Sequence, residues 1–144
     1  MADESHKFQA EVLTPEGKVF EGELFQLSAR TVVGEVGVRA RHAPMLARLV
    51  PSTLRLFEDE GELGSSEGGQ RYVTAEGWLE VFANKVTVLV TEAHEPGDLD
   101  SSELKSRLED AEQRLSEADE DSAAHRAAEQ DKARLEAFIE ISEN

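Results

Sequence analysis

The last 47 residues, Asp98 to Asn144, contain neither glycine nor proline, whereas all ten glycines and all four prolines lie at or before Gly97. Proline breaks a helix interior and glycine weakens one, while tight turns between strands draw on both. The chain therefore reads as two unlike segments. Seven of the eight aromatic residues precede the divide, and only Phe138 follows it. A β domain is expected over residues 1–95 and a helical segment over 96–144, joined at HEPGDLD, residues 94–100.

Phe8-Gln9-Ala10-Glu11-Val12 alternates with the period of a half-buried strand, and Thr14-Pro15-Glu16-Gly17 supplies a turn with proline preset at its second position. Further strands are expected at Val19-Phe20, Leu24 to Leu27, Thr53 to Phe57, Tyr72 to Thr74, Trp78 to Phe82 and Val86 to Val90, all rich in β-branched or aromatic residues. An acidic Gly/Ser-rich loop is expected over 58–70, with turns at Glu76-Gly77 and near Asn84. Strands this closely spaced, with no helical pattern between them, predict a sandwich or flattened barrel rather than a parallel α/β sheet.

In the second segment, Asp100-Ser101-Ser102-Glu103 has the form of a capping box. Leu104, Leu108, Ala111, Leu115 and Ala118 then recur at helical spacing and draw one apolar stripe. Glu103–Arg107 and Asp110–Arg114 are opposite-charge pairs four residues apart. A turn at Asp119 to Ser122 leads to a second helix from Ala123, with Ala124, Ala127, Ala128, Leu135, Phe138 and Ile139 on its apolar side and Asp131 interrupting it. The expectation is an antiparallel two-helix hairpin. Its alanine-rich stripe buries little area, so it is expected to lean on the β domain or on a partner.

Charge and chemistry narrow the function. Fifteen Lys and Arg stand against 31 Asp and Glu, a formal charge of −16. That balance argues against a nucleic-acid surface and against adsorption to an anionic membrane. There is no cysteine, hence no disulfide framework, thiol nucleophile or thiolate metal site. No apolar run is long enough to span a bilayer, and the acidic MADESHK start does not read as a secretory leader. His6, His42, His94 and His125 are scattered without metal-ligand spacing. No nucleophile elbow, Walker loop or dinucleotide fingerprint occurs. Gly34-Glu35-Val36-Gly37 carries an acidic residue and lies between strands, unlike a nucleic-acid-clamping G-x-x-G loop between helices. A binding or mechanical role fits these residues better than catalysis, with no cofactor or metal. A stand-alone acidic adaptor or chaperone, presenting its hairpin to a client, is one form of it.

Three blocks point to a family. In 34–50, GEVGVRARHAPMLARLV, the residues Gly34, Glu35, Gly37, Val38, His42, Ala43 and Pro44 resemble, in order and spacing, the signature loop of the epsilon subunit of bacterial F-type ATP synthases. The opening Val12 to Glu23 resembles that family's first two strands, and Trp78 to Leu89 its block around N-x-V-T-V-L. The resemblance covers nearly the whole chain. It implies a ten-stranded β-sandwich followed by an α-hairpin, in a non-catalytic subunit of the central stalk. By that resemblance the subunit binds the gamma subunit and the polar loops of the c-ring and turns with them, coupling proton flow to ATP synthesis. The hairpin either folds down or extends toward the alpha/beta catalytic head, where it restrains hydrolysis. The location implied is the cytoplasmic face of the bacterial cell membrane, peripheral and without insertion. Gly34 and Gly37 are expected to form bends and Pro44 to lead the chain into a short apolar strand. Glu35, Arg39, Arg41 and His42 are then expected on a rigid rim that can meet another protein, and by the resemblance Gly34, Glu35, Gly37, Arg39, His42 and Pro44 belong to the loop facing the c-ring.

Departures qualify the resemblance. Some family members bind ATP through an [IL]-D-x-x-R-A motif at the start of the first helix. Leu99 and Asp100 match it, but Glu103 stands where the arginine belongs and Leu104 where the alanine does. A carboxylate beside polyphosphate is repulsive, so the expectation is weak nucleotide binding or none at Leu99 and Asp100. Over residues 123–140, Arg126, Lys132 and Arg134 face Glu129, Asp131, Glu136 and Glu140, which makes a weak electrostatic brake.

Overall fold

The computed structural model describes residues 6–143; most of the acidic start read above for a leader lies outside them. The chain divides into two compact units, Met1–His94 and Glu95–Asn144. The first holds ten strands: β1 (Phe8–Thr14), β2 (Gly17–Leu24), β3 (Gln26–Thr31), β4 (Gly34–Arg39), β5 (Met45–Leu49), β6 (Ser52–Phe57), β7 (Gln70–Thr74), β8 (Gly77–Phe82), β9 (Lys85–Val90) and β10 (Ala93–His94). They form one hydrogen-bonded path in the order β10-β7-β6-β3-β5-β8-β9-β1-β2, with β4 attached to β3. Every pairing is antiparallel except that of β1 with β9. The expected ten-stranded all-β sandwich is present, followed by two helices.

The path turns a corner between β3 and β5, where the ladder narrows to Thr31 opposite Leu49. Two flanking backbone bonds brace it, Val32 N–H to the Arg48 carbonyl at 3.0 Å and Val50 N–H to the Arg30 carbonyl at 3.2 Å. Folding over there lets alternate residues of both halves meet. Phe8, Ala10 and Val12 of β1 share one core with Leu79 and Val81 of β8, Val86 and Val88 of β9, Leu27 of β3 and Leu54 and Leu56 of β6. Each fully buried leucine or valine contributes roughly 1.5–3 kcal/mol of transfer free energy.

Leu24 to Leu27 is not one strand. Leu24 and Leu27 are three apart and would face opposite ways in a continuous strand, yet both are fully buried. A break at Phe25, whose N–H bonds the Phe57 carbonyl at 2.8 Å, turns both inward. Within the acidic 58–70 loop a short 3-10 turn forms at Glu60–Gly64, and Glu62 reaches back to the Glu58 and Asp59 amides at 2.9 Å each.

The second unit is α1 (Ser101–Glu117) and α2 (Ala123–Glu143), preceded by a 3-10 turn at Pro96–Asp98. They are antiparallel, since Lys105 near the start of α1 reaches Glu143 at the end of α2 at 3.0 Å. Leu104 and Ala111 are buried on α1, and Ala128, Leu135 and Phe138 on α2. Ala124 and Ala127, expected on the apolar side, are exposed. Asp131 does not interrupt the packing but is used by it. Arg114 bonds Asp110 on its own helix at 3.1 Å and Asp131 across the pair at 3.0 Å, while Arg134 holds the other Asp131 oxygen at 3.1 Å. Ser122 caps α2, accepting from the His125 N–H at 3.1 Å.

At α1 the expected capping box forms by half. Asp100 Oδ1 accepts from the Ser102 N–H at 2.9 Å, the Ser102 hydroxyl at 2.8 Å and the Glu103 N–H at 3.4 Å. The Ser102 hydroxyl first, then the two amides, hold the Asp100 carboxyl below its usual value. Because folding depresses this pKa, the cap stabilises α1 above the ordinary carboxylate value of about 3.9 and is lost as pH falls through the lower folded-state value. Asp100→Ala is expected to lower the melting temperature of the helical signal near neutral pH, and that difference should vanish by about pH 2. Circular dichroism across an acid titration measures it, and a difference independent of pH would count against the cap.

Candidate functional site

The segment expected to be a loop with two glycine bends is largely a strand. β4 pairs with β3 over its whole length, with Arg30 opposite Glu35, Ser28 opposite Gly37 and Gln26 opposite Arg39. Only Gly34 serves a turn. It has φ +130°, a conformation side chains disfavour. Thr31 closes that turn, its hydroxyl donating to the Gly34 carbonyl at 2.8 Å and accepting from the Val33 N–H at 3.1 Å.

Gly37 makes room rather than a bend. A Cβ there would lie 3.3 Å from Gln26 Nε2 and 4.0 Å from Ser28 Oγ. The Gln26 side chain crosses the strand pair in that space, donating to Ser28 Oγ at 2.9 Å and accepting from Arg39 Nε at 2.8 Å. The Arg39 guanidinium also lies over the Phe25 ring, 5.0 Å from its centre. Arg39 is thus held by a hydrogen bond on one side and a ring face on the other.

Glu35 and His42 do not meet. Glu35 pairs with Arg30 at 3.3 Å, an exposed contact of small energetic weight. His42 lies past the far end of β4, about 13 Å of strand from Glu35 to Arg39 plus a turn. Its N–H closes that turn on the Arg39 carbonyl at 3.2 Å, and ring Nδ1 donates to the Ala43 carbonyl at 2.7 Å. A neutral ring fixed this way presents Nε2 as its acceptor. Pro44 then leads directly into β5, as expected. Between residues 30 and 42 stand three arginines, Arg30, Arg39 and Arg41, against Glu35 alone. On a chain of charge −16 this rim is locally positive. Its tip is apolar, with Val33 93 % exposed.

A second surface went unread in the sequence. On the outward side of β5, β8 and β9, Leu46, Trp78, Phe82 and Leu89 are exposed, Leu46 by 67 % and Trp78 by 48 %. The registers place Arg48, Trp78, Leu89 and Leu13 in one cross-strand row over four strands. That row lines an open, mainly apolar cleft of about 480 Å³, together with Pro15 and Thr91. The signal was available. Trp78-Leu79-Glu80-Val81-Phe82 and Val86 to Val90 carry apolar residues on both alternations, the mark of a strand covered on two faces.

On the hairpin, Leu99 N–H bonds the Pro96 carbonyl at 3.4 Å, and Asp100 is committed to the α1 cap. Glu103 is exposed in the first turn beside them. The start of α1 therefore offers carboxylates where a phosphate would need cations. Among the described residues no three His, Asp or Glu side chains gather as metal ligands, and no helix is long and apolar enough to cross a membrane.

Comparison with known proteins agrees with this architecture. Residues 7–96 match the family described as ATP synthase, Delta/Epsilon chain, beta-sandwich domain. The ATP synthase epsilon chain of Halalkalibacterium halodurans is 35% identical over 119 residues, which is 82% of this chain and 84% of that one. Among solved structures, a chain of the Euglena gracilis mitochondrial ATP synthase, determined with its c-ring, has a TM-score of 0.69 at 23% identity over 92% of this chain and 79% of that one. A chain of the Tetrahymena thermophila mitochondrial ATP synthase central stalk and c-ring has a TM-score of 0.58 at 18% identity, over 93% and 95%. With a β-sandwich domain matched over residues 7–96 and 35% identity to a curated relative across 119 residues, the chain belongs to the ATP synthase epsilon chain family.

Proposed function

We propose that this chain is a non-catalytic rotor subunit of an F-type ATP synthase, peripheral to the bacterial cell membrane on its cytoplasmic side. In this reading it joins the gamma subunit to the c-ring and passes torque between proton flow and ATP synthesis. The observation that carries the reading is that one continuous sheet bears two different surfaces: a locally basic rim at β4 and the turn after it, and an apolar face on β5, β8 and β9. The two surfaces share one sheet and one buried core, a stiff link of the kind that a coupling element requires. The face on which Leu46, Trp78, Phe82 and Leu89 stand among Arg48 and Glu80 has the mixed make-up of a protein interface and is assigned to gamma. The rim, with Gly34, Glu35, Gly37, Arg39, His42 and Pro44, is assigned to the polar loops of the c-ring.

The hairpin is assigned the regulatory part. Extended toward the alpha/beta catalytic head it would restrain ATP hydrolysis, and the excess of acidic over basic residues on α2 makes steric insertion a better account than an electrostatic brake. Leu99 and Asp100 are not assigned to nucleotide, because Asp100 caps α1 and Glu103 repels phosphate.

Trp78 is the sole tryptophan, so its emission reports on the apolar face directly. Titration with gamma is expected to shift that emission to the blue, and Trp78→Ala is expected to weaken the complex by about 2 kcal/mol, roughly 30-fold. An unchanged spectrum on a formed complex would move the gamma interface elsewhere. Replacing Glu35 and His42 together by Ala is expected to leave thermal stability within about 1 kcal/mol, the range for surface sites, while proton-driven synthesis falls. Loss of the fold, or undiminished synthesis, would remove the rim from the coupling path. Ending the chain after Asp100 is expected to raise ATP hydrolysis by the assembled enzyme; equal rates would leave the hairpin without a restraining role.

A further inference from the structure

The turn between β8 and β9 is made by Ala83 at φ 50° and Asn84 at φ 60°, both in the left-handed region. Asparagine is among the few side chains that enter that region readily, whereas alanine pays a steric cost there. From this left-handed position Asn84 bonds to two other parts of the sandwich. Its backbone carbonyl accepts from the Gln9 N–H at 3.2 Å, and its side-chain Nδ2 donates to the Lys7 carbonyl at 3.0 Å. Its Oδ1 crosses to the bend after β4 and accepts from the Arg41 N–H at 2.7 Å. Arg41 is itself left-handed, at φ 62°, and stands between the Arg39 carbonyl and His42 N–H that close that bend.

A carboxamide is the side chain that can give and take a hydrogen bond at once while its backbone stays left-handed. Aspartate keeps the acceptor and loses the donor. Glycine keeps the backbone conformation and loses both. The left-handed turn at Ala83 and Asn84 aims the carboxamide between the start of β1 and the bend that carries His42, and Ala83 bears its steric cost.

We infer that Asn84 is the positioning residue of the rim: the acceptor oxygen of its side chain, carried by the left-handed turn, fixes where Arg41 and His42 stand on the sandwich. The geometric part stands on the bonds above; its consequence for the c-ring contact rests on the rim assignment made under the proposed function.

The test uses the full chain and two variants, N84G and N84D. Amide hydrogen exchange followed by NMR reads Arg41 against core amides such as Val88 and against Gln9. In N84G the turn keeps its backbone, and Arg41 is expected to exchange about tenfold faster, the worth of one hydrogen bond, with Val88 unchanged. In N84D the acceptor is retained, and Arg41 is expected to stay within about twofold of the parent chain. Native-like Arg41 protection in N84G overturns the inference, and so does equal loss in N84G and N84D. Binding of each variant to a reconstituted c-ring then separates the two ideas. If N84G loosens Arg41 and c-ring binding is untouched, the rim assignment fails and the positioning role stands; if binding weakens in N84G and recovers in N84D, both hold.

Discussion

The β domain depends on one long-range contact, the parallel pairing of β1 with β9. Ala10 lies opposite Val86 and Val12 opposite Val88, so the first strand of the chain closes against one formed more than seventy residues later. Without that pairing, β1–β2 and β8–β9 are separate hairpins, each with its core-facing apolar side open to water. With it, the inward residues of both belong to one core. Parallel ladders cannot be made by a tight turn, so everything between β2 and β8 is the connection that this contact requires. The same pairing brings the β8–β9 turn beside Lys7 and Gln9, and hence Asn84 within reach of Arg41.

Much of the fold was legible because its strongest signals are local. β1, β6, β8 and β9 are dense in β-branched and aromatic residues and are bounded by turn residues, so their existence follows from short windows. The helical hairpin follows from a glycine- and proline-free stretch. What was misread shows where local signals run out. Gly34 and Gly37 look alike in the sequence, but one occupies a left-handed turn and the other a strand position against which Gln26 lies. Only the register of β3 on β4 separates those two uses. Asp131 looked like a fault in an apolar stripe because its partner Arg114 lies on the other helix.

The candidate surfaces divide in the same way. The rim residues could be named in advance because their order along the chain matches a family pattern, but not their arrangement. Glu35 lies on a strand and pairs with Arg30, while His42 is in a turn beyond that strand's other end. The apolar face has a signal in the doubled alternation of β8 and β9, but such runs are equally consistent with a strand buried in its own domain. Asn84 was seen only as a turn residue. Its reach to Arg41, 43 positions away in the chain, is tertiary and has no local signature.

The attachment of β4 has a mechanical corollary. β4 is bonded along one edge to β3 and lies off the main path of the sheet. Antiparallel ladder bonds run across the strands, so a load directed along β4 shears all of them together, while a load directed away from β3 peels them one after another. Strength at this edge is therefore directional. A partner that drags β4 along its own axis meets the combined resistance of six residue pairs, and one that lifts it meets the resistance of the pair at the end.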